Sequence, residues 1–259
     1  MALGVTAYVA ADSVTTGNVL GYVKTVAPAA DGFEIISIAS FGTNDTVSIQ
    51  DAIMNLEDLN ASTVKENADK IIVWSGSGYT KYGLFDDGGT NSYWMETGES
   101  GWLFAGSATP ATGITLSRQD AVWFQTGTGG TVNSIVTSGS VRDDNQFDVP
   151  VGEGFTLLAY PFTSSINLTN LVVSNATASV TKENADKITV WTGTGYAKYG
   201  LFDDGGTNSF WMSTGESGWL FASSAAPTSA DLPLGKGFWY ESADGAKTLG
   251  FEQIYTLSE

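Results

Sequence analysis

The sequence predicts an all-β protein made of two tandem, homologous β-sandwich-like modules, each with at most one short helix. Three observations carry this. Lys65–Ala105 matches Lys182–Ala222 at a constant offset of 117, with 35 of 41 positions identical. Gly is abundant and Pro scarce, at 31 and 6 residues, which suits many turns and few rigid breaks. Apolar residues fall in short runs or strict alternation rather than at helical spacing.

The six differences within the repeat are Ile72/Thr189, Ser75/Thr192, Ser77/Thr194, Thr80/Ala197, Tyr93/Phe210 and Glu96/Ser213. All eight Trp obey the repeat: Trp74, Trp94, Trp102 and Trp123 pair with Trp191, Trp211, Trp219 and Trp239. The flanks align more loosely, with Gly32–Ile36 matching Gly154–Leu158 and Ala121–Phe124 matching Gly237–Tyr240 after a one-residue deletion. We therefore expect a strand-like N-terminal segment at 1–12, copy 1 at 13–137 and copy 2 at 138–259, with no Pro- or Ser-rich linker between the copies.

Taken in order, Leu3, Val5, Ala7 and Val9 alternate with Gly4, Thr6, Tyr8 and Ala10, the pattern of a strand. The same stretch also looks like the tail of a secretory signal peptide without its basic start, with Val9 and Ala11 at the cleavage-site positions. Phe33–Ile38 and Phe155–Tyr160 are apolar runs after Gly, suited to buried strands. Ser48–Leu59 reads as one short helix, capped by Ser48, with Ile49, Ile53, Leu56 and Leu59 on one face. Lys70–Trp74 and Lys187–Trp191 alternate, and Trp74–Tyr79 then forms a hairpin turn. Acidic Gly-rich turns follow at 86–91 and 203–208. Ser92–Met95, Gly101–Phe104 and Ala121–Gln125 are strands, and Thr248–Leu257 closes the chain by alternating Leu249, Phe251, Tyr255 and Leu257.

Composition excludes much chemistry. The chain has no Cys and no His, and 11 Lys+Arg against 28 Asp+Glu give a net charge of −17. Imidazole bases, Ser-His-Asp triads and Cys-His pairs are therefore absent. So are ordinary zinc, copper, haem and iron–sulfur ligand sets, and disulfides. The charge repels phosphate backbones and anionic lipid surfaces. No apolar run reaches the ~18 residues of a membrane helix.

The order of a Gly-Phe strand, a short helix, Ala-Asp-Lys-Ile-x-Val-Trp-x-Gly-x-Gly-Tyr, a Gly-rich turn and Gly-x-Gly-Phe-Trp-Tyr resembles a β-rich module of exported bacterial proteins. Such modules form large paralogous sets in Verrucomicrobia-type and related bacteria. Ala185–Tyr196 and Gly235–Tyr240 carry the resemblance, with Ala68–Tyr79 in copy 1. Copy 1 departs at Ser117–Val122, where Arg118-Gln119-Asp120 replaces Gly-x-Gly. The resemblance implies export and a cell-surface setting, and it transfers no catalytic residue.

Four constellations are candidate sites. Asp86, Asp87 and Asn91, with Asp203, Asp204 and Asn208, place oxygen ligands on tight turns. Calcium takes such ligands, and so does an Asx turn that caps its own backbone. No other cofactor is suggested. Tyr79, Tyr82, Trp94, Tyr196, Tyr199 and Trp211 read either as a glycan or interface surface, or as core. Glu99/Asp87 and Glu216/Asp204 are repeated acid pairs, the residue types of a glycosidase, or else solvated turn acids. Lys65-Glu66-Asn67 and Lys182-Glu183-Asn184 contain the residue types of an isopeptide crosslink, or form charged loops.

These readings lead us to expect a non-enzymatic, extracellular structural subunit. It would assemble with itself into a filament, sheath or surface layer, with Leu3, Val5, Ala7 and Val9 added as a strand to a neighbour. The alternative is a secreted glycan-binding module or adhesin using the repeated aromatic and acidic loops.

Overall fold

A computed structural model describes residues 19–38, 46–86, 88, 92–98, 109–141, 144–203, 205, 209–214 and 226–254. The fold is all-β, with antiparallel sheets and, among the described residues, only single turns of 3-10 helix. Copy 1 contains β1 (Val19–Val26), β2 (Phe33–Ser37), β3 (Thr46–Ser48), β4 (Lys70–Trp74), β5 (Tyr79–Asp86), β6 (Ser92–Glu96), β7 (Thr115–Ser117), β8 (Ala121–Gln125) and β9 (Ser134–Val141). Copy 2 contains β10 (Gln146–Val151), β11 (Gly154–Ala159), β12 (Ile166–Asn167), β13 (Val173–Ser174), β14 (Lys187–Trp191), β15 (Tyr196–Asp203), β16 (Ser209–Ser213), β17 (Asp231–Leu232), β18 (Gly237–Ser242) and β19 (Lys247–Glu252).

Each copy builds a five-stranded sheet in the same order, β2-β8-β4-β5-β6 and β11-β18-β14-β15-β16. A smaller sheet, β1-β9 or β10-β19-β13, accompanies each. Strand β9 runs across residues 137 and 138 and pairs along its whole length with β1, so copy 1 continues through Val141. The hairpin at Trp74–Tyr79 forms as expected: Ser75 N–H donates to Gly78 O at 2.9 Å, and Gly76 has a φ of 91°.

Side-chain alternation sorts each large sheet into two buried faces. In copy 1, Ile36, Ile71, Leu84, Trp94, Val122 and Phe124 point into that copy's own core, with Ile135 of β9. The opposite face carries Ile35, Ile72, Ala121 and Trp123, which meet Leu157, Ala159 and Trp239 of copy 2. The two large sheets therefore pack on each other through these faces. Ala121 and Gly237, equivalent positions in the two copies, lie at this contact. A Cβ added to Gly237 would sit 2.3 Å from Ala121 Cβ and 2.6 Å from Ile35 Cγ2, so only glycine allows the approach.

Arg118 fastens the joint from copy 1. It is 3% exposed, donates to Pro161 O, and pairs with Asp144 Oδ2 at 2.9 Å. Its guanidinium lies 4.5 Å and 5.1 Å from the Phe147 and Phe162 ring centres. The departure from Gly-x-Gly noted in the sequence thus places a buried cation between the copies. Lys236 to Glu34, at 2.8 Å, is a second ion pair across the joint.

The helix expected at Ser48–Leu59 is not formed. Two 3-10 turns, Ile49–Asp51 and Leu56–Asp58, replace it. Ser48 does accept a hydrogen bond from Gln50 N–H, and Ile49, Ile53 and Leu59 are buried. The backbone between the turns is drawn off to β9. Met54 N–H donates to Val136 O at 2.8 Å, and the Asn55 amide bonds both Ser134 O and Val136 N–H. A continuous helix would lose these bonds.

Most sheet edges are covered. On β6, Trp94 N–H donates to Gln50 Oε1, while Trp94 O accepts from Gln50 Nε2 and Ala111 N–H. Trp211 O on β16 accepts from Thr228 N–H. Edges β2 and β11 bond the opposite copy, through Ser37 N–H to Gly235 O and Ala159 N–H to Gln119 O. Residues 54 and 55 line β9, and β13 lines β19. Among the described residues, no backbone hydrogen bond reaches the outer edges of β1 and β10. Edge β10 carries Asp148 and Pro150, both deterrents to pairing. Edge β1 carries neither an acid nor a Pro, and it exposes Tyr22 and Val26 by 74% and 73%.

Candidate functional site

At the joint, hairpins β4–β5 and β14–β15 from the two copies interleave their aromatic residues. One ladder runs Phe33–Trp123–Trp191–Tyr196, with ring centres 6.2, 5.6 and 5.0 Å apart. Its pseudo-symmetric mate runs Phe155–Trp239–Trp74–Tyr79, at 6.2, 5.5 and 4.8 Å. Each ladder takes its Phe and first Trp from one copy and its second Trp and Tyr from the other. Spacings of this size with tilted or edge-on planes favour the ring quadrupoles.

Two cavities open along the ladders. The first, about 270 Å³, is walled by Phe33, Ile72, Tyr79, Lys81, Trp123, Trp191 and Tyr196. The second, about 380 Å³, has the equivalent wall from the opposite copies: Phe155, Thr189, Tyr196, Lys198, Trp239, Trp74 and Tyr79. Only Ile72/Thr189 differs in residue type. Tyr79 and Tyr196 line both cavities and are about half exposed. Partial burial pushes both phenols above the ordinary tyrosine value, so they remain neutral donors.

The six predicted aromatics therefore divide. Tyr79 and Tyr196 are at the site. Tyr82, Trp94 and Trp211 lie in the module cores, and Tyr199 is partly buried against the core of copy 2. Sequence reasoning singled out neither Phe33 nor Phe155, although each opens an apolar run after a Gly in both copies. Asp86 and Asp203 each accept from the N–H two residues on, Gly88 and Gly205, at 2.9 Å, as in an Asx turn. Asp87, Asn91, Asp204, Asn208, Glu99 and Glu216 lie outside the described residues, as do Leu3, Val5, Ala7 and Val9. No group of three or more acids able to hold a metal occurs among the described residues. Lys182–Asn184 is a single 3-10 turn.

Next to the first cavity, copy 1 has a larger polar cleft of about 790 Å³ that shares Tyr79 and Lys81 with it. Lys70 lines this cleft and is 7% exposed. Its copy-2 equivalent, Lys187, pairs with Glu241 at 3.2 Å. In copy 1, Gln125 faces Lys70 instead, and Lys70 Nζ donates to Ala68 O. Burial lowers the Lys70 pKa below the ordinary 10.5. The folded state then gives up this proton before the unfolded state does, so the cost of burial is full at lower pH and fades as pH rises toward 10.5. Gln125→Glu should raise the Lys70 pKa and stabilise the protein by about 0.5–1 kcal/mol. It should also flatten that rise with pH. Urea midpoints and a Lys70 Cε titration by NMR would check both, and an unmoved titration would show that the new carboxylate does not reach the amine.

No family model, curated protein or solved structure matches this chain. Among the described residues, no helix is long and apolar enough to cross a membrane.

Proposed function

We propose that the chain is a non-enzymatic structural subunit of an extracellular or cell-surface bacterial assembly, joined to its neighbours by strand addition. The outer edge of β1, which no backbone hydrogen bond reaches among the described residues, carries this reading. It is eight residues long while the edges of both large sheets are covered, and nothing on it deters pairing except Lys24. Between copies of net charge −17, a lysine attracts rather than repels. The incoming strand is residues 2–11 of the next copy, an uncharged alternating segment whose backbone would supply the missing hydrogen bonds. Because the donor and acceptor surfaces differ, the contact is head-to-tail and propagates.

Negative-stain microscopy of the purified chain should show filaments or sheets. Deleting residues 2–11 should abolish them, and so should Tyr22→Glu with Val26→Glu, which adds charge to the exposed edge and leaves the core intact. Added salt should favour assembly by screening the subunit charge. Unaltered polymers from either variant would overturn strand addition at β1.

The paired aromatic cavities support a second reading, a glycan-binding surface. Exposed aromatic rings with neutral phenol donors suit sugar stacking better than they suit a sealed core.

A further inference from the structure

We infer that the polar cleft of copy 1 binds an oligosaccharide of uronic-acid type, with a carboxylate on Lys70 and a sugar ring on Tyr79. This rests on the glycan reading and deepens it by naming an acidic sugar and a place for its charge.

The two copies supply the argument. Lys70 and Gln125 are cross-strand partners on β4 and β8, as Lys187 and Glu241 are on β14 and β18. In copy 2 the lysine meets Glu241 Oε1 at 3.2 Å, so its charge is answered from within the chain. In copy 1 an amide stands at that position. Lys70 Nζ donates to Ala68 O at 2.9 Å, and no carboxylate pairs with it among the described residues. The side chain is nevertheless more than nine-tenths buried and forms part of the cleft wall. A buried ammonium without a counter-ion is costly. Burial accordingly holds the Lys70 pKa below its ordinary value, although Asp69, Glu66 and Asp31 act in the other direction. A carboxylate entering the cleft takes the role that Glu241 has in copy 2. The Gln125 amide, on the same wall, is a donor for its second oxygen.

The strand pattern selects a chain of sugars. Alternation puts Lys70, Ile72 and Trp74 on one face of β4, and Lys81 and Tyr79 stand opposite Ile72 and Trp74 on β5. Tyr79, Lys81 and Lys70 therefore follow one another along this face at steps of ~7 Å. Tyr79, about half exposed, offers an aromatic face where the cleft joins the first aromatic cavity, and Lys81 lines both. An apolar sugar face suits the phenol ring, and carboxylates borne on successive sugars suit the two lysines. A small carboxylic acid would leave Tyr79 unused. The wall sets Lys65, Lys70 and Lys81 against Asp31, Glu66 and Glu96, a neutral balance in a chain of net charge −17, so an anion meets less repulsion here than the whole chain would impose.

The test is isothermal titration of the full chain, at physiological salt to screen distant charges, with oligogalacturonate, oligoglucuronate, their neutral galacto- and gluco-counterparts, and acetate. We expect the acidic oligosaccharides to bind about tenfold or more tighter than the neutral ones, in line with one charge-assisted hydrogen bond. The Lys70 Cε signal should shift with them by NMR. Gln125→Glu installs the copy-2 carboxylate and should abolish the acidic preference without lowering the urea midpoint, so the loss cannot be unfolding. Lys70→Gln should abolish it too, with the fold checked by circular dichroism, and Lys187→Gln should leave it unchanged. Equal binding of acidic and neutral sugars, or full acidic preference in Gln125→Glu, would overturn the inference while leaving the glycan reading standing. Acetate moving the Lys70 signal as far and at the same concentration as the oligouronates would overturn the assignment to a sugar. No binding by any sugar would overturn both readings.

Discussion

Asp186→Ala should cost about 3–5 kcal/mol of unfolding free energy, the range for removing one partner from a buried charged network. Asp186 is fully buried in the loop entering β14. Its carboxylate accepts from Thr177 N–H and Ala243 N–H, each at 2.8 Å, from the Tyr240 hydroxyl, and from Lys247 Nζ at 2.9 Å. One side chain thus ties together a segment nine residues upstream, the end of β18 and the start of β19. Alanine leaves two backbone donors and a phenol facing a void, each an unsatisfied group with its own penalty. Lys247 keeps its second partner, Asp244, at the surface, so the loss comes mainly from the backbone donors.

Copy 1 supplies the control. Asp69 is equally buried, but it accepts from Asn60 N–H at 2.8 Å, Asn60 Nδ2 at 2.9 Å and Gly127 N–H at 2.8 Å. Phe124 stands there in place of Tyr240, so Tyr240→Phe should be mild, about 1 kcal/mol. Burial, with the hydrogen bond and charge of Asp186, pushes the Tyr240 phenol far above its ordinary value, so it stays a donor throughout the accessible range. Denaturant titration measures both variants. A loss below about 1 kcal/mol for Asp186→Ala would mean that water takes over the carboxylate's bonds.

These two aspartates also show where sequence reading stops. The Ala-Asp-Lys motif is visible twice, and alternation places the next residues on a strand, yet the acceptor role depends on donors from distant segments. Strands β4, β8 and β14 were legible with their ends, because Trp and β-branched residues alternate between Gly-bearing turns. Which face met which partner was not legible, because both faces are buried. Trp94 and Trp211 repeat as faithfully as Trp74 and Trp191, but the first pair fills module cores and the second pair builds the joint. The helix expected at Ser48–Leu59 failed for a related reason. Its apolar spacing is real and its apolar residues are mostly buried, but Asn55 and Met54 spend their polar groups on β9, a strand some eighty residues away. Tyr79 and Tyr196 read equally as surface or core aromatics in the sequence, and their meeting across the copies required the fold.

The second large effect tests that meeting. Trp123→Ala should destabilise the protein by about 3–5 kcal/mol, because it empties the middle of one ladder and uncovers Ile35 and Leu157. The size alone would not separate a joint from any other core, so the informative measurement is coupling. Trp123 touches Trp191 across the joint at 5.6 Å, while Trp74 belongs to the other ladder and touches Trp239 at 5.5 Å. A double-mutant cycle of Trp123→Ala with Trp191→Ala should therefore show an interaction of about 0.5–1.5 kcal/mol. The cycle of Trp123→Ala with Trp74→Ala should show much less. If the copies fold as one cooperative unit, each single variant should also keep one transition in denaturant, shifted but not split. Two resolved transitions would mean that the aromatic ladders are the main tie between the copies. One transition would leave a major share to Arg118, which reaches Pro161 and Asp144 from outside the ladders. Equal coupling in the two cycles would mean that Tyr79, which meets Trp123 and packs on Trp74, ties the two ladders into one network.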